Sequence, residues 1–254
     1  MSERQELAYA SRGLIGVLTP QANTTVEPEF SILTPPGYAF INARMTSDKP
    51  TIEQRLVDYA DSVETQVEQF ANAPVDAIAF AVTGASYLLG REAEDALIER
   101  IAQNCQLPFV TTAKAVCKAL ETLGARSIGL VSPYPEDLTT KSVGYWQSRG
   151  FQVANVVSAY QDTDQFHPIY ALTHEHAAAG VRRLSDSKVD AIVMLGTGMP
   201  TLPAIVDNAD ASGPAVLSCI LALVWLSVLA AAGRVPERQE LRTWLRAGHW
   251  SHRL

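Results

Sequence analysis

Three short segments of the first half of the chain recur in the second half in the same order. The pairs, with the first-half segment first, are IGVLTP at 15–20 and IGLVSP at 128–133, VDAI at 75–78 and again at 189–192, and LPFVTT at 107–112 and GPAVLS at 213–218. Chance can produce one such match between two apolar strands, but three matches in order predict a duplicated fold.

Short apolar runs alternate with amphipathic stretches along both halves. The runs predict strands at 14–19, 40–44, 77–83, 109–111, 127–132, 152–157, 191–196 and 215–218. The stretches predict helices near 51–72, 90–104, 112–123, 137–149, 173–186, 201–208 and 219–232. Strands that are each followed by a helix form parallel sheets buried on both faces. The sequence therefore predicts an α/β fold of two pseudo-symmetric parallel-sheet domains.

The repeat also suggests where the two lobes divide. We expect residues 1–120 together with about 213–254 to form an N-terminal lobe, and 121–212 to form a C-terminal lobe, with helices exchanged between them. Residues 215–233 carry no charge and approach the length of a membrane span. Burial as a short strand plus a helix is the alternative that we favour, because Gly213 and Pro214 begin the segment as a strand. Its apolar surface can also serve a homodimer contact.

Composition excludes several classes of protein. The chain has 254 residues, of which 47% are hydrophobic, so a sizeable core can form. A net charge of −7 without a dense Lys/Arg run argues against a nucleic-acid partner. The three cysteines are scattered, which predicts neither a disulfide framework nor a zinc site. The polar N-terminus lacks a signal-peptide core, and we expect a cytoplasmic protein without a membrane partner.

The ends of the central strands nominate a ligand site. In a duplicated α/β fold the carboxyl ends of these strands surround a common cleft. The loop after the first predicted strand contains Pro20, Asn23 and Thr24, whose amide, hydroxyl and backbone groups suit a carboxylate without requiring a cation. The alternative is an ordinary Asx or Thr helix cap.

Two further loops pair across the halves. Thr83 and Gly84 lie at the end of one predicted strand, and Gly196, Thr197 and Gly198 lie at the end of its counterpart. Successive N–H groups in such loops form anion-binding concavities, although glycines also serve turn geometry alone. Neither loop has dinucleotide-binding or Walker spacing, so we predict a small carboxylate ligand and no cofactor.

Tyr134, His167 and Thr83 are the candidate catalytic residues. Tyr134 follows Pro133 just after a predicted strand, where its phenol can donate to a carboxylate or simply pack at a domain edge. His167 lies in the polar segment 161–168 and can titrate near neutrality as a general acid or base, or be an ordinary exposed histidine. His174 and His176 are two residues apart, which does not place both on one helix face, so no metal site is predicted.

Several of these segments resemble a known family. The segments are PQANTTVEPE at 20–29, VTGASY at 82–87, Pro133-Tyr134, the 196–205 stretch, and 214–218 with Trp225. They are similar to bacterial maleate cis–trans isomerases and to arylmalonate decarboxylase, over nearly the whole chain. The resemblance implies the aspartate/glutamate racemase superfamily, whose fold is two pseudo-symmetric α/β domains without a cofactor. It also implies that Asn23, Thr83 and Tyr134 occupy substrate-binding positions.

The resemblance fails at the reactive groups. In that superfamily a cysteine from each half flanks the substrate, and the matching positions here are Val82 and Gly196. Neither can act as a nucleophile, acid or base. Three interpretations follow: an isomerase or decarboxylase-like lyase that uses other groups, a non-catalytic carboxylate-binding or regulatory homologue, and Cys219 as a relocated nucleophile. The first is favoured, and the last would require a lowered thiol pKa.

Overall fold

The computed structural model describes residues 7–162, 167–210 and 212–254. One parallel sheet contains β1 (Gly13–Pro20), β2 (Tyr38–Met45), β3 (Ala77–Phe80) and β4 (Phe109–Thr111), in the order β2-β1-β3-β4. The other contains β5 (Ser127–Ser132), β6 (Gln152–Ser158), β7 (Ala191–Met194) and β8 (Ala215–Ser218), in the order β6-β5-β7-β8. The matching strand order confirms the predicted α/β fold with two pseudo-symmetric sheets.

The described helices follow the strands, as expected for parallel sheets. They are α1 (Val26–Leu33), α2 (Ile52–Asp61), α3 (Val63–Val67), α4 (Thr83–Leu89), α5 (Arg91–Cys105), α6 (Thr112–Leu123), α7 (Glu136–Ser148), α8 (His174–Leu184), α9 (Leu202–Val206), α10 (Cys219–Ala231) and α11 (Arg238–Leu245). The sequence did not predict α1, α4 or α11. Strands β3 and β7 are shorter than predicted, because the chain leaves each sheet before reaching its glycine-bearing loop.

The repeated VDAI segment performs the same structural task in both halves. Asp76 accepts a hydrogen bond from the backbone N–H of Leu14 at 2.8 Å. Its counterpart Asp190 accepts from the N–H groups of Arg126 and Ser127, each at 2.8 Å. In both halves, therefore, the carboxylate before the third strand fixes the start of the first.

The expected division of the chain into lobes needs one correction. Strand β8 pairs with β7 in the second sheet, so residues 215–218 belong there by hydrogen bonding and not to the first lobe. Helix α10, which follows immediately, packs against β1, β3 and α6 of the first half. The exchange between halves thus begins at Cys219, and α11 also packs against α6 of the first half.

The uncharged segment at 215–233 forms a short strand followed by α10, as predicted. Both elements are almost entirely buried, because α10 lies between the two halves and has no solvent face along most of its length. Within the described parts of the chain, no helix has the length and apolar character that crossing a membrane requires.

Candidate functional site

A small cavity of about 40 Å³ lies where the strand ends of the two sheets face each other. The first-half residues predicted for a ligand site that line it are Pro20, Asn23, Thr83 and Gly84. The second half contributes Tyr134, His167, Thr197 and Gly198. Val82 also lines the cavity, whereas the side chain of Thr24 is exposed and does not. The duplication thus brings together most of the candidates, as strand-end geometry requires.

Gly196 lies beside the cavity wall with a left-handed backbone, at φ +81°. A Cβ atom at this position would lie 3.1 Å from the Tyr134 hydroxyl and 2.9 Å from Ile169 Cδ1. The space into which a side chain at position 196 would project is therefore filled by Tyr134 and Ile169. Only glycine can adopt this left-handed backbone and leave Tyr134 and Ile169 in place.

Asn23 and Thr197 join the two halves at the cavity wall. The Asn23 amide nitrogen donates to the Thr197 carbonyl oxygen at 3.1 Å and approaches its hydroxyl at 3.3 Å. The Asn23 oxygen accepts from the N–H groups of Thr25 at 2.8 Å and Val26 at 3.0 Å. The Thr197 hydroxyl in turn donates to the Ala81 carbonyl at 2.9 Å. Both side chains are thus engaged with the protein, as the Asx-turn alternative for Asn23 anticipated.

Thr83 differs, because its hydroxyl is available. The residue is 1% exposed, and its Oγ1 atom has no hydrogen-bond partner among the described residues. It lies close enough to Tyr134 and Cys219 to lower the pKa of each group, but neither contact has hydrogen-bond geometry. A buried hydroxyl without a partner is costly, which is typical of a position that binds a ligand or water.

Tyr134 is a neutral donor at this end of the cavity. Burial, with smaller contributions from nearby Cys219 and Tyr170, raises its pKa well above the usual value of 10. Its ring packs edge-to-face against Tyr87, with the centroids 6.0 Å apart. The phenol therefore keeps its proton at physiological pH and is held in one orientation.

His167 departs from the expected near-neutral titration. It is partly buried against the cavity, and its ring stacks on Tyr170 with 4.8 Å between the centroids. Burial and the nearby Arg55 lower its pKa to about 4. The imidazole is therefore neutral near pH 7, and both the near-neutral titration and the simple exposed-loop interpretation are wrong. Thr163–Phe166, in the same polar segment, lie outside the described residues.

Arg55 was not singled out from the sequence, where it is one of several charged residues in a predicted helix. On α2, Ile52, Leu56 and Tyr59 line the cavity, and Arg55 lies one turn before Tyr59 on the adjoining face. Its charge reaches His167, Tyr59 and Tyr170. Arg55 thus gives the outer end of the cavity a positive potential.

The cysteines do not meet the requirement for a nucleophile. Cys219 begins α10, is fully buried, and lies near the N–H of Gly196. Burial raises its pKa to about 12, which is the opposite of the lowered value that a reactive thiol needs. Burial also raises the pKa of Cys117 to about 12. Cys105 is partly buried and does not line the cavity.

A buried ion pair supports the wall behind the cavity. Glu94 of α5 is fully buried and pairs with Arg149, at the end of α7 in the other half. Its carboxylate also accepts from the hydroxyls of Ser86 and Thr111, each at 2.6 Å, and from that of Tyr145. With all its oxygen positions occupied, Glu94 fixes α5 against α7.

A second buried carboxylate links the halves on the other side. Glu29 of α1 accepts from the N–H of Thr201 at 2.6 Å and that of Leu202 at 3.4 Å, and so caps α9. Burial raises its pKa to about 7, although the bonds to Thr201 and Leu202 oppose this. The described residues contain no cluster of His, Cys, Asp and Glu arranged to hold a metal ion.

Comparisons with known proteins agree with this architecture. Residues 15–240 match the family model of arylmalonate decarboxylase. A maleate isomerase from Alcaligenes faecalis is 26% identical over 238 residues, covering 88% of this chain and 93% of that protein. A maleate isomerase from Nocardia farcinica is 29% identical over 220 residues, covering 82% and 86%.

Solved structures give the same result. A cysteine-to-serine mutant of the Nocardia farcinica maleate cis–trans isomerase, with a covalently bound succinylcysteine intermediate, has a TM-score of 0.77 at 26% identity, covering 91% of this chain and 98% of that chain. Unliganded arylmalonate decarboxylase has a TM-score of 0.70 at 19% identity, covering 88% and 94%, which is a likeness of fold. The family resemblance in the sequence is thereby confirmed, while the assignment of Val82 and Gly196 to cysteine positions stays a prediction.

Proposed function

This chain belongs to the arylmalonate decarboxylase family, and we propose that it is a cofactor-independent isomerase or decarboxylase-like lyase. Its substrate is a small carboxylic or dicarboxylic acid bound in the cleft between the halves. The observation that carries the proposal is the Thr83 hydroxyl, which has no hydrogen-bond partner among the described residues and lies beside the neutral Tyr134 phenol in an otherwise mostly apolar cavity. Relatives named maleate isomerase and arylmalonate decarboxylase support acid chemistry in this fold.

The two hydroxyls favour reactions in which negative charge builds up on a carboxylate. When a proton or a carboxyl group leaves the α-carbon, its electrons spread into the remaining carboxylate, and donors already aimed at the oxygens stabilise that charge. The apolar wall disfavours solvated charge elsewhere in the cavity and so assists the same step. Tyr134, with a protonated phenol, and the neutral His167 are the groups able to exchange a proton with the substrate.

The thiol route of the maleate isomerases is not part of this proposal. Cys219 is buried with a raised pKa, and Val82 and Gly196 carry no reactive group. We expect maleate, aspartate and glutamate to be left unchanged by the purified protein. Rapid conversion of maleate to fumarate would contradict this expectation.

A panel of small acids tests the proposal. Proton NMR follows loss or rearrangement of each acid, including phenylmalonate and substituted acrylates, with the wild-type protein and with Thr83→Val and Tyr134→Phe. Matched controls are Thr122→Val, whose hydroxyl bonds only the Lys118 carbonyl among the described residues, and Tyr9→Phe, which is 89% exposed. We expect turnover of at least one acid that both cleft variants reduce and both controls leave unchanged. Turnover insensitive to Thr83→Val and Tyr134→Phe would refute the assignment.

A carboxylate-binding or regulatory homologue is the second candidate. The low pKa of His167 favours this candidate. His167 is the histidine among the described residues that line the cavity, and because its pKa falls to about 4 it does not titrate near neutrality. Binding of acids that depends on Thr83, with no turnover of any of them, would select this candidate. For either function we propose a cytoplasmic chain, able to form a homodimer, without a nucleic-acid or membrane partner.

A further inference from the structure

One buried hydroxyl behind the cavity wall is not explained by an acid site. Tyr87 lies on α4, four residues after Thr83, so the two side chains lie on the same face of that helix. Tyr87 is 5% exposed, and its hydroxyl has no hydrogen-bond partner among the described residues. Tyr87 does not line the cavity, so direct contact with a bound acid does not account for this hydroxyl. Because an unsatisfied buried donor destabilises a fold, its presence calls for another explanation.

The titratable neighbours of Tyr87 include two tyrosines and two cysteines. The Tyr87 ring packs edge-to-face against that of Tyr134, with the centroids 6.0 Å apart, and lies 5.4 Å from the ring of Tyr145 on α7. Burial raises the pKa of Tyr87 well above 10, and smaller increases come from its neighbours Cys219, Tyr134, Tyr145 and Cys117. These four neighbours come from α6, α7, the start of α10 and the loop before α7.

Tyr134 is the neighbour best able to use the Tyr87 hydroxyl. The Tyr145 oxygen is already engaged, because it donates to the buried Glu94 and accepts from Nε of Arg149 at 3.0 Å. Sulfur is only a weak acceptor, so the two thiols are poor partners. Tyr134 lines the cavity, and its oxygen becomes a strong acceptor when it gives up its proton.

We propose that Tyr87 is a positioning residue that stabilises negative charge on Tyr134 while Tyr134 protonates the substrate. Loss of CO2, or of a proton to the neutral His167, leaves an electron pair on the α-carbon of the acid. The Tyr134 O–H bond then breaks, a C–H bond forms at that carbon, and the charge moves to the phenol oxygen. Tyr87 donates a hydrogen bond to this oxygen, directly or through one water molecule. After product release, solvent water returns a proton to Tyr134, and His167 gives up any proton that it took.

This inference rests on the proposed function, because it concerns the proton donor of the same cavity. A contact that forms only as charge develops lowers the reaction barrier without strengthening substrate binding. The Tyr87 hydroxyl meets that condition, because it has no partner in the described part of the resting structure. Since Tyr87→Phe removes an unsatisfied group, we expect the melting temperature to stay the same or rise. A hydroxyl with a purely structural role would instead support the fold, and its removal would lower the melting temperature.

A trifluorinated tyrosine at position 134 tests the contact without any substrate. Fluorine lowers the pKa of a phenol, and fluorine NMR follows the ionisation of the labelled residue alone. We expect Tyr87→Phe to weaken the acid dissociation of the labelled phenol about 10-fold, because its phenolate loses a hydrogen-bond donor. Ser227→Ala is the matched control, since the Ser227 hydroxyl is also buried and without a partner among the described residues, but lies about two turns along α10 from Cys219. This control should leave the ionisation unchanged.

Steady-state kinetics with an acid from the panel provide the second readout. We expect Tyr87→Phe to lower kcat about 10-fold and to leave KM unchanged, since the lost contact exists only in the transition state. Ser227→Ala should change neither constant. Circular dichroism establishes that both variants are folded before they are assayed.

The outcomes separate this inference from the proposed function. If Tyr87→Phe leaves the ionisation of the labelled phenol unchanged while an acid is turned over, the inference is wrong and the proposed function stands. A raised KM with an unchanged kcat, or a lowered melting temperature, would also overturn the inference, because either result assigns Tyr87 to substrate binding or to structure. If the ionisation shifts but no acid is turned over, the contact stands, whereas the proposed function and the catalytic role of Tyr87 both fail.

Discussion

The substitution Glu29→Gln should change how stability depends on pH. Glu29 is buried between α1 and the start of α9, and its folded-state pKa is about 7 against an ordinary value of 4.5. Between these values the folded protein holds a proton that the unfolded chain has released. The free energy of unfolding therefore falls as the pH rises from 4.5 to 7, and the loss is complete above pH 7.

The magnitude follows from the difference between the two pKa values. That difference is 7 − 4.5, or about 2.5 pKa units. At 1.36 kcal/mol for each pKa unit it corresponds to about 3 kcal/mol. Glutamine resembles the protonated carboxyl in shape and carries no charge at any pH. Its oxygen can still accept from Thr201 and Leu202, and its nitrogen can donate to the Thr201 hydroxyl. Glu29→Gln should therefore match wild type at pH 4.5 and exceed it by up to about 3 kcal/mol at pH 8.

Urea unfolding of both proteins at a series of pH values measures this difference directly. Comparing the variant with wild type at each pH cancels the contribution of other titrating groups. Glu121→Gln, at an exposed helix position, is the matched control and should differ from wild type by less than about 0.5 kcal/mol throughout. A Glu29→Gln difference that stays constant from pH 4.5 to 8, or that favours wild type at pH 8, would refute the reasoning.

Three further predictions concern the groups around the cavity. Gly196→Ala, which forces a Cβ into a left-handed position 3.1 Å from the Tyr134 hydroxyl, should cost about 1–3 kcal/mol in urea unfolding, whereas Gly144→Ala, with open space, should not destabilise. Arg149→Met should cost about 3–5 kcal/mol because it leaves Glu94 buried and charged, while Arg100→Met breaks an exposed pair and should cost less than about 1 kcal/mol; equal losses would contradict the argument. Mass spectrometry after iodoacetamide treatment of the folded protein should find Cys219 unmodified, and any activity should survive; ligand-protected modification of Cys219 would reinstate it as a nucleophile.

Much of the fold could be predicted because the spacing of apolar residues and the order of the repeated segments can be read directly from the sequence. All eight predicted strands occur, since each is an apolar run bounded by a loop. The helices that were missed are short or begin within loops: α4 starts at Thr83, directly after a strand end, and α11 lies beyond the repeat. The repeat already pairs 213–218 with 107–112 and so places β8 in the second sheet as β4 is placed in the first; the expected lobe boundary was wrong because it moved this strand together with the exchanged helix that follows it.

The site was predicted as a set of loops, but the state of each group depended on tertiary contacts. His167 has an ordinary reference pKa near neutrality, and only its burial beside Tyr170 and Arg55 lowers it to about 4. Glu29 looked like one carboxylate among many in the sequence, and only its burial against the opposite half raises its pKa. Desolvation depends on the surroundings in three dimensions, so residue type alone could not indicate either shift.

Asn23 and Thr83 show that the hydrogen-bond partners of a side chain, and not its residue type, decide whether it is available to a ligand in this cleft. Both are polar, both follow a strand of the first half, and both were predicted to bind a carboxylate, with a helix cap as the alternative for Asn23 and glycine turn geometry as the alternative for the loop of Thr83. In the structure the Asn23 side chain bonds to Thr25, Val26 and Thr197, whereas the Thr83 hydroxyl has no hydrogen-bond partner within the described part of the chain. A ligand gains little binding free energy from a donor that must first break a hydrogen bond within the protein. Binding to a buried donor that has no partner instead removes the free-energy cost of leaving that donor unsatisfied. Binding energy in this cleft should therefore concentrate at Thr83, while Asn23→Ala should chiefly loosen the contact between the halves.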